Sequence, residues 1–565
     1  MKKMVCFEIR KILFCILHFA FCISFFLSLP SHAQDLGDKE YVIVKDYKPV
    51  LAESFKISDS PEADTSSSSS LTLSYKITPR KIETNYEAGV IKAVKLKDEP
   101  ISKLYRSLLK LGLGNYSTTY GELFVNSLRS KTGSLGLHLK HFSGSPQLSN
   151  AGKASFSENE ASVYGKYLLE SSTFSGDVNF NRNVVYYYGY KANDSILHLV
   201  NSDTTKQRFN NFSMNLGLQS IQLGKGHLDY KFNFRFNSIS DLYEVTENDF
   251  MLSGSAGKKV NENYFSLPVS FDFFKKNMAR FEKLSINSNL DRYIISLEPQ
   301  VKIEGEQFNL LFGLGFGLEK NLSTIAHLFP KAEISIPIAE HVLTAFAGVN
   351  GNVQKNNFKS IVEENPFAIS TVTPFNTINK LMINGGLKGN FSNTITFNAA
   401  VNYNQVKDMQ FFYNDSVYPF KFNVLYDDAD VFNLHAEISY LQNEKLNISL
   451  HVDQYSYSTD IQSQAWHKPN SVVSIVAKYN LHDQFFAEVS LFAHGTQYAR
   501  GLSGKYIVDE KIDGYQDVNL GLEYRYTKVL SLYLHLNNLG FSRYYRWNGY
   551  PSERFNLLGG LTYAF

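Results

Sequence analysis

Apolar and polar residues alternate with a period of two through most of the chain between residues 104 and 565. Successive side chains of a β-strand point to opposite faces, so this period predicts strands with one apolar face. The alternation is clearest at 228–236, 395–403, 432–440, 518–526, 530–537 and 555–565. In the last of these segments, the apolar parity ends in Leu561, Tyr563 and Phe565, whereas Thr562 lies on the other parity. The region is therefore predicted to consist almost entirely of strands.

The apolar faces are too numerous and too rich in rings for a soluble β-sandwich. The opposite faces repeatedly carry charge, and a sandwich core about 10 Å thick has no room for so many large apolar faces. Lipid can cover them. Because the bilayer holds no water to satisfy open strand edges, such a sheet must close. The expected fold is all-β, a transmembrane antiparallel up-and-down β-barrel that occupies residues 104–565.

The lengths of the connections give an independent count of strands. Extracellular loops of outer-membrane barrels are long and periplasmic turns are short. Counted back from Phe565, tight turns are predicted near 527–528, 481–483, 442–444, 392–393, 338–340, 304–306, 258–261, 221–226, 171–173 and 131–132. Long connections are predicted at 539–552, 496–513, 456–469, 406–428, 353–377, 275–288, 239–246, 187–207 and 144–157, with two short extracellular links near 320–323 and 115–118.

This alternation predicts about 22 strands, within a range of about 20 to 24, and an even count places both ends of the barrel on the periplasmic side. About 22 strands is the size typical of outer-membrane transporters with a plugged lumen. Composition agrees, since only 19% of residues are charged, 14% are aromatic and only 15 are proline. Alternating strands tolerate little proline, which cannot donate to the ladder.

Residues 1–33 have the organisation of a signal peptide. Lys2 and Lys3 lie in a basic segment that an apolar run follows, and Ser31 and Ala33 are small residues at the positions that a signal peptidase reads. Cleavage is expected before Gln34. The alternative is an uncleaved membrane anchor, because the apolar run is somewhat long.

Removal of this segment changes the charge and the cysteine count. The chain has 56 basic and 54 acidic residues, and the segment takes four of the basic and one of the acidic residues, which leaves a net charge of −1. All three cysteines, Cys6, Cys15 and Cys22, leave with it. The mature chain then has no disulfide, thiolate metal site or lipidated cysteine. Its near-neutral charge gives no electrostatic basis for binding nucleic acid.

Residues 34–103 do not resemble barrel strands. A polar tract at 65–70, almost all serine, cannot contribute to a core. The segment is predicted to be a periplasmic N-terminal tail with a serine-rich linker. Two alternatives are a reduced plug and a strand that pairs with a periplasmic partner by edge addition.

The barrel region contains no convincing catalytic constellation. His435 and Glu437 share one face of a predicted strand, and His451 and Asp453 share a face of the next. Each pair could ligate a metal or share a proton. Polar groups that simply face a wet lumen are the commoner case, so we assign no catalytic residue, no cofactor and no metal, and we predict that the protein is not an enzyme.

Aromatic residues cluster in two of the predicted extracellular loops. They are Tyr186, Tyr187, Tyr188, Tyr544, Tyr545 and Trp547. Such rings suit a sugar-binding platform at the outer rim. The alternative is the aromatic girdle that barrels place at the membrane interface.

The C-terminal region resembles the last strands of TonB-dependent receptors, over residues 537–540, 544–551 and 559–565. Segments 364–367 and 409–415 look like those of plugless relatives from the Bacteroidota. The resemblance implies that Leu561, Tyr563 and Phe565 form the signal read by the barrel-assembly machinery. Members of the family carry a TonB box and a plug of about twice the length of the N-terminal tail, so a complete plug domain is not expected here.

Together these features predict a barrel in the outer membrane of a Gram-negative bacterium, surrounded by outer-membrane lipid. The expected function is transport-related, namely uptake or passage of a large solute without a standard plug. The alternative is a non-conducting barrel that anchors or docks periplasmic or surface partner proteins. A periplasmic partner would then bind through residues 34–103.

Overall fold

The alternating segments form antiparallel strands in a computed structural model that describes residues 105–128, 130–191, 200–221, 226–278, 289–340, 342–503 and 506–565. The predicted signal peptide and N-terminal tail lie outside the described residues. The strands are β1 Ser107–Gly114, β2 Thr118–Asn126, β3 Gly133–Gly144, β4 Phe156–Leu168, β5 Ser172–Tyr186, β6 Lys206–Ser220, β7 Asp229–Ser240, β8 Val245–Val260, β9 Asn263–Met278, β10 Asn289–Leu297, β11 Gln300–Glu304, β12 Asn309–Lys320, β13 Thr324–Ala339, β14 Leu343–Gln354, β15 Thr377–Ser392, β16 Ile395–Asn414, β17 Phe422–Gln442, β18 Leu446–Thr459, β19 Ser471–Leu481, β20 Phe485–His494, β21 Gln497–Ser503, β22 Tyr506–Ile512, β23 Tyr515–Arg525, β24 Leu530–Asn537, β25 Tyr545–Trp547, β26 Tyr550–Pro551 and β27 Asn556–Ala564. Two short helices are α1 Ser202–Thr205 and α2 Phe358–Glu364.

The sheet closes on itself between its first and last strands. β1 pairs with β2 on one side and with β27 on the other, in a register that runs from Leu108 opposite Ala564 to Gly114 opposite Leu558. Closure leaves no open edge among the described strands of the barrel wall, which is what a lipid environment requires. The predicted transmembrane β-barrel is therefore confirmed.

The predicted number of strands is also confirmed. β10 and β11 both pair with β9 and β12, so they form one barrel strand that is interrupted at Glu298 and Pro299. Proline has no N–H to give to a ladder, which explains the break. The hairpin β21–β22 and the short pair β25–β26 form separate small sheets. The wall then contains 22 strands.

The short turns lie where the sequence predicts them, but two extracellular loops are shorter than expected. The sequence predicts a long loop at 406–428, whereas β16 and β17 extend further from the membrane and leave only 415–421 between them. Likewise only 241–244 separate β7 from β8. Outside the membrane a strand needs no apolar face, so polar residues can continue its hydrogen-bonded ladder. The alternation of apolar residues therefore underestimates the length of these strands. The predicted loop 275–288 falls largely outside the described residues.

Large apolar side chains of one parity form the outer face of the barrel. On β9 these are Phe265, Leu267, Val269 and Phe271, which are 41–50% exposed. The other parity of the same strand carries Asp272, Phe274 and Lys276, all buried. An apolar exterior around a closed barrel is the arrangement of an outer-membrane protein. No helix among the described residues is long and apolar enough to span a membrane.

The C-terminal strand completes the barrel at the periplasmic rim. The Phe565 carbonyl accepts hydrogen bonds from the main-chain N–H groups of Arg106 (3.0 Å) and Ser107 (2.9 Å). Leu561, Tyr563 and Phe565 point outward and are 38%, 43% and 54% exposed. Recognition of these residues by the assembly machinery stays a prediction.

Candidate functional site

The connection between β14 and β15, residues 355–376, folds over the extracellular end of the barrel, and we call it the mouth loop. It contains α2, which begins after a capping box. The Asn357 side chain accepts from the Ser360 N–H at 2.8 Å, and the Ser360 hydroxyl accepts from the Asn357 N–H at 2.9 Å. Phe358, Ile361 and Val362 have helical spacing and bury one face of this seven-residue helix. Pro366 follows soon after and prevents the helix from continuing.

An apolar cluster joins the mouth loop to the barrel wall and to the last extracellular loop. Its members are Phe209, Ile239, Val245, Met278, Phe358, Ile361, Val362, Ala368, Val372, Phe412, Phe422, Trp547 and Tyr550. They come from wall strands, from the mouth loop itself and from the last extracellular loop. The mouth loop is therefore packed as a core element, not as a mobile surface segment.

Three charged residues of the wall are buried beneath this loop. Glu247, Lys276 and Arg292 are only 1–2% exposed. Each lies on the parity opposite to the lipid-facing residues of its strand, so each points into the barrel. Burial of charge is costly without hydrogen-bond partners, and each of these groups bonds to the main chain of the mouth loop.

The Glu247 carboxylate accepts the first free N–H groups of α2, from Phe358 at 2.8 Å and from Lys359 at 3.2 Å. The Lys276 ammonium donates to the Ser370 carbonyl at 2.9 Å, and also donates to the Val372 carbonyl. Glu247 thus holds the start of α2 through main-chain N–H groups. Lys276 holds the later part of the mouth loop through main-chain carbonyl groups.

Further pairs connect the beginning of the mouth loop to the wall. The Arg292 guanidinium donates to the Asn356 carbonyl at 2.9 Å. The Lys355 ammonium lies 2.7 Å from the Asp249 carboxylate and 2.9 Å from the Asp272 carboxylate. Five wall residues on β8, β9 and β10, three of them acidic and two basic, thus contact one loop.

The mouth loop is held from the other side of the barrel as well. It forms a parallel β-bridge with the start of β17, in which the Ile369 N–H donates to the Phe422 carbonyl at 2.7 Å. Glu364 forms an ion pair with Lys468, 2.8 Å, in the loop before β19. Contacts with β8–β10 on one side and β17–β19 on the other show that the loop crosses the extracellular mouth.

Lys421 sits among aromatic rings next to the mouth loop. Its ammonium lies 4.4 Å from the ring centroid of Tyr187, 4.9 Å from that of Tyr418 and 5.0 Å from that of Tyr243. Burial lowers the pKa of Lys421 to about 8. The rings offset part of the lost hydration through cation–π attraction.

Burial also shifts the pKa of two other loop residues. Burial raises the pKa of Asp241, whose carboxylate accepts from the N–H groups of Tyr243 and Val245, each at 2.9 Å. Burial lowers the pKa of His467 to about 3, so its ring is neutral where it packs 5.1 Å from Trp547. Both residues belong to the packed mouth and not to an open binding cleft.

Three of the six rim aromatics predicted from the sequence pack into the mouth. Tyr187 and Trp547 are 1% and 6% exposed, and Tyr188 lies 4.7 Å from Tyr550 between ring centroids. The fourth, Tyr186, lies under the Lys153 ammonium at 4.6 Å. Most of these rings therefore have faces that are already covered by protein.

The other two rim aromatics line a separate extracellular cavity of about 780 Å³. Tyr544 stacks on Tyr515 with centroids 4.1 Å apart and donates to the Asp517 carboxylate at 3.0 Å. Tyr545 is 41% exposed, and Arg543 lines the same cavity. A ligand-binding role for these residues stays a prediction.

The two histidine–carboxylate pairs predicted from the sequence meet on the lumenal wall. The register of β17 and β18 places His435 opposite Asp453 and Glu437 opposite His451. From the sequence they are two pairs on separate strands, whereas in the sheet all four residues lie together as one group.

Sequence reasoning missed the charged residues of the mouth. Glu247, Lys276 and Arg292 look like any lumen-facing polar residues, and nothing local marks them as buried. The available signal was the long connection at 353–377 with its capping residues Asn357 and Ser360, which predicts a folded loop in need of partners.

Comparisons with known proteins establish the fold. No protein-family model and no curated protein sequence matches this chain. Among solved structures it is similar to the siderophore receptor PirA from Acinetobacter baumannii, with a TM-score of 0.62 and 10% identity over 83% of this chain and 81% of that one. It is also similar to the ferric enterobactin receptor PfeA from Pseudomonas aeruginosa, with a TM-score of 0.61 and 12% identity over 81% of each chain. For the FrpB iron transporter from Neisseria meningitidis the values are 0.64 and 9% over 82% of each chain. The predicted resemblance to the barrels of TonB-dependent receptors is therefore confirmed at the level of fold.

Proposed function

We propose that this protein is an outer-membrane transport barrel for a large solute, in which the mouth loop closes the extracellular end and a standard plug domain is not used. The support comes from two sides. The barrel has the 22 strands and the fold of structures that include a siderophore receptor and an iron transporter. Its extracellular end is covered by residues 355–376 of its own wall connection.

The buried charges under the mouth loop are the observation that carries this proposal. A permanent cap would be at least as stable with apolar residues at these places, because buried ion pairs recover little more than their desolvation cost. Charged groups that face main-chain N–H and C=O groups can instead be rehydrated when the loop lifts. Glu247, Lys276 and Lys355 therefore suit a loop that opens and then closes again with the same contacts.

The length of the N-terminal tail supports the absence of a standard plug. Residues 34–103 provide about 70 residues, which include a serine-rich tract, whereas a lumen of about 22 strands is a wide one. We propose that the tail acts on the periplasmic side, while the mouth loop acts on the extracellular side.

The test is ion conductance of the purified barrel in planar bilayers. The variant Lys276→Met/Lys355→Met removes only the cation of each contact, which leaves the Asp249 and Asp272 carboxylates and two carbonyl groups of the mouth loop without their donor. It is therefore expected to conduct where the wild type is closed. Lys331→Met is the matched control, because it removes a lysine that pairs with Glu298 at 2.7 Å, without contact to the mouth loop.

Each protein is recorded with residues 34–103 and without them, so that a tail that blocks the lumen does not hide an open mouth. Heat-modifiable gel mobility shows that each variant is folded. If the double variant without the tail is as silent as the wild type, the transport proposal fails. A folded, silent barrel that retains proteins from native membranes would instead support the anchoring alternative.

A further inference from the structure

We propose that His435, Glu437 and His451 form a binding site for a divalent first-row transition-metal ion, such as Zn²⁺, on the lumenal wall, with Asp453 as a positioning residue. All four lie on β17 and β18, which pair continuously from Ala429–Thr459 to Gln442–Leu446. The inference goes beyond the proposed function and does not depend on whether the barrel conducts.

The four side chains face the lumen together. Leu434 and Ile438, which flank His435 and Glu437 on β17, point to lipid and are 42% and 44% exposed. His435 and Glu437 therefore point inward, and the register brings Asp453 and His451 beside them. One ligand atom from each of His435, Glu437 and His451 lies within 4.8 Å of the others. That separation allows one ion to reach all three after small rotamer adjustments.

Hydrogen bonds with Asp453 and two asparagines already orient this group. The His435 Nδ1 atom lies 3.0 Å from an Asp453 carboxylate oxygen. An ionised carboxylate only accepts, so Nδ1 carries the proton and Nε2 keeps the lone pair that a metal needs. Asn433 donates to the same carboxylate oxygen at 3.1 Å, and Asn402 donates to Asn433 at 2.7 Å. This chain of hydrogen bonds fixes the orientation of the His435 ring, as in carboxylate–histidine–metal sites.

The charge of the group favours a divalent cation. The group contains two carboxylates, and imidazole with carboxylate is a donor set that suits Zn²⁺ and its neighbours. The residues in register on the flanking strands are neutral: Asn398 and Ala400 on β16, Val472 and Ser474 on β19. No lysine or arginine occupies those cross-strand positions to neutralise the carboxylates.

The ligands are also accessible. The side chains of His451 and Glu437 are 42% and 37% exposed, and those of His435 and Asp453 are 23% and 24% exposed. An ion in the lumen can therefore reach them, while a position on two rigid neighbouring strands keeps the donors together.

A second histidine–carboxylate group on the wall shows what a purely structural arrangement looks like. His138 lies 2.9 Å from Glu122 through Nε2 and 3.7 Å from Glu160 through Nδ1. Both ring nitrogens face carboxylates, its ring stacks on Phe124 at 4.2 Å, and no second histidine belongs to the group. His138 is therefore the matched control for the proposed site.

The experiment measures metal binding to the full mature chain, untagged and treated with chelator, in detergent. Co²⁺ is titrated first, because its visible absorption reports ligand number and type, and Zn²⁺ is then measured by calorimetry. The wild type and His138→Gln are expected to bind one ion per chain. His435→Gln and His451→Gln are expected to lower the affinity at least about tenfold, and Asp453→Asn about 10- to 100-fold.

The positioning role of Asp453 has its own readout. Asp453→Asn should keep the tetrahedral or five-coordinate Co²⁺ spectrum with weaker binding, whereas His451→Gln should change the spectrum itself. The proposal is overturned if the wild type binds no ion in stoichiometric amount, or if folded His435→Gln/His451→Gln binds like the wild type. Glu437→Gln, nearly unchanged in shape, provides a second ligand variant if a histidine variant does not fold.

Discussion

The charged residues of the extracellular mouth and those near the periplasmic end of the lumen are of the same types but lie in different surroundings. Glu247 and Lys276 are 1% exposed and contact the main chain of a loop that covers them. Lys478 and Glu488 form a pair at 3.3 Å with side chains 60% and 52% exposed. Alternation directs all four inward, and only the cover of the mouth loop makes the first two important for stability.

Removal of the buried carboxylate should have the largest effect. Glu247→Ala leaves the N-terminus of α2 without its acceptor and removes a negative charge beside Lys276 and Arg292. Loss of one partner of a buried charged group costs about 3–5 kcal/mol. We expect hydrogen exchange of residues 355–376, measured by mass spectrometry, to lose most of its protection.

The control for that experiment is Glu298→Ala, which breaks the half-exposed pair with Lys331 on the wall. Protection of the mouth loop should be unchanged in this variant. Equal loss of protection in both variants would contradict the distinction between the mouth and the open wall.

The pH dependence of the mouth tests its buried lysine. The pKa of Lys421 is lowered to about 8 in the folded protein, below the ordinary lysine value of 10.5. The folded state thus binds fewer protons, and the closed mouth becomes more stable as pH rises through 8. Between about pH 7 and 9.5 the gain should be about 2 kcal/mol.

The measurement is hydrogen exchange at several pH values after correction for the intrinsic exchange rate. Lys421→Met, which keeps the apolar stem and has no charge, should flatten the pH dependence. A dependence that persists in this variant would assign the effect to another group. The open wall should show little change over the same range.

A smaller effect is expected from the apolar part of the mouth. Ile361 is completely buried in α2. Ile361→Val removes one methylene group and should destabilise the closed mouth by about 1 kcal/mol. A shift in the protection of 355–376 without a change in heat-modifiable mobility would show that the mouth opens separately from the barrel.

The smallest effect is expected at the exposed pair. Lys478→Ala should change the unfolding free energy by less than about 1 kcal/mol, because exposed ion pairs contribute little and are screened by salt. Denaturant unfolding into detergent is the measurement. A loss of unfolding free energy as large as that of Glu247→Ala would contradict the difference between the mouth and the periplasmic end of the lumen.

Much of the fold was predictable because the membrane acts on every strand alike. Each strand needs an apolar face toward lipid and a closed ladder, so the alternation and the turns predict the barrel and its strand count. The extracellular ends of β16 and β17 were not predictable in this way, because strands outside the membrane do not need an apolar face. The sequence also indicates which face His435, Glu437, His451 and Asp453 occupy.

What the sequence determined by itself is therefore the wall: the strands, the turns, the closure and the face of each strand that carries the lumenal polar residues. The tertiary structure alone decided how those residues meet. The register of β17 and β18 joined two histidine–carboxylate pairs into one group. A fold of the chain brought Phe358 to Glu247 across 111 positions of sequence. Local pattern specifies the face of a strand on which a side chain lies, but burial and partnership depend on distant segments, because they are properties of the packed mouth as a whole.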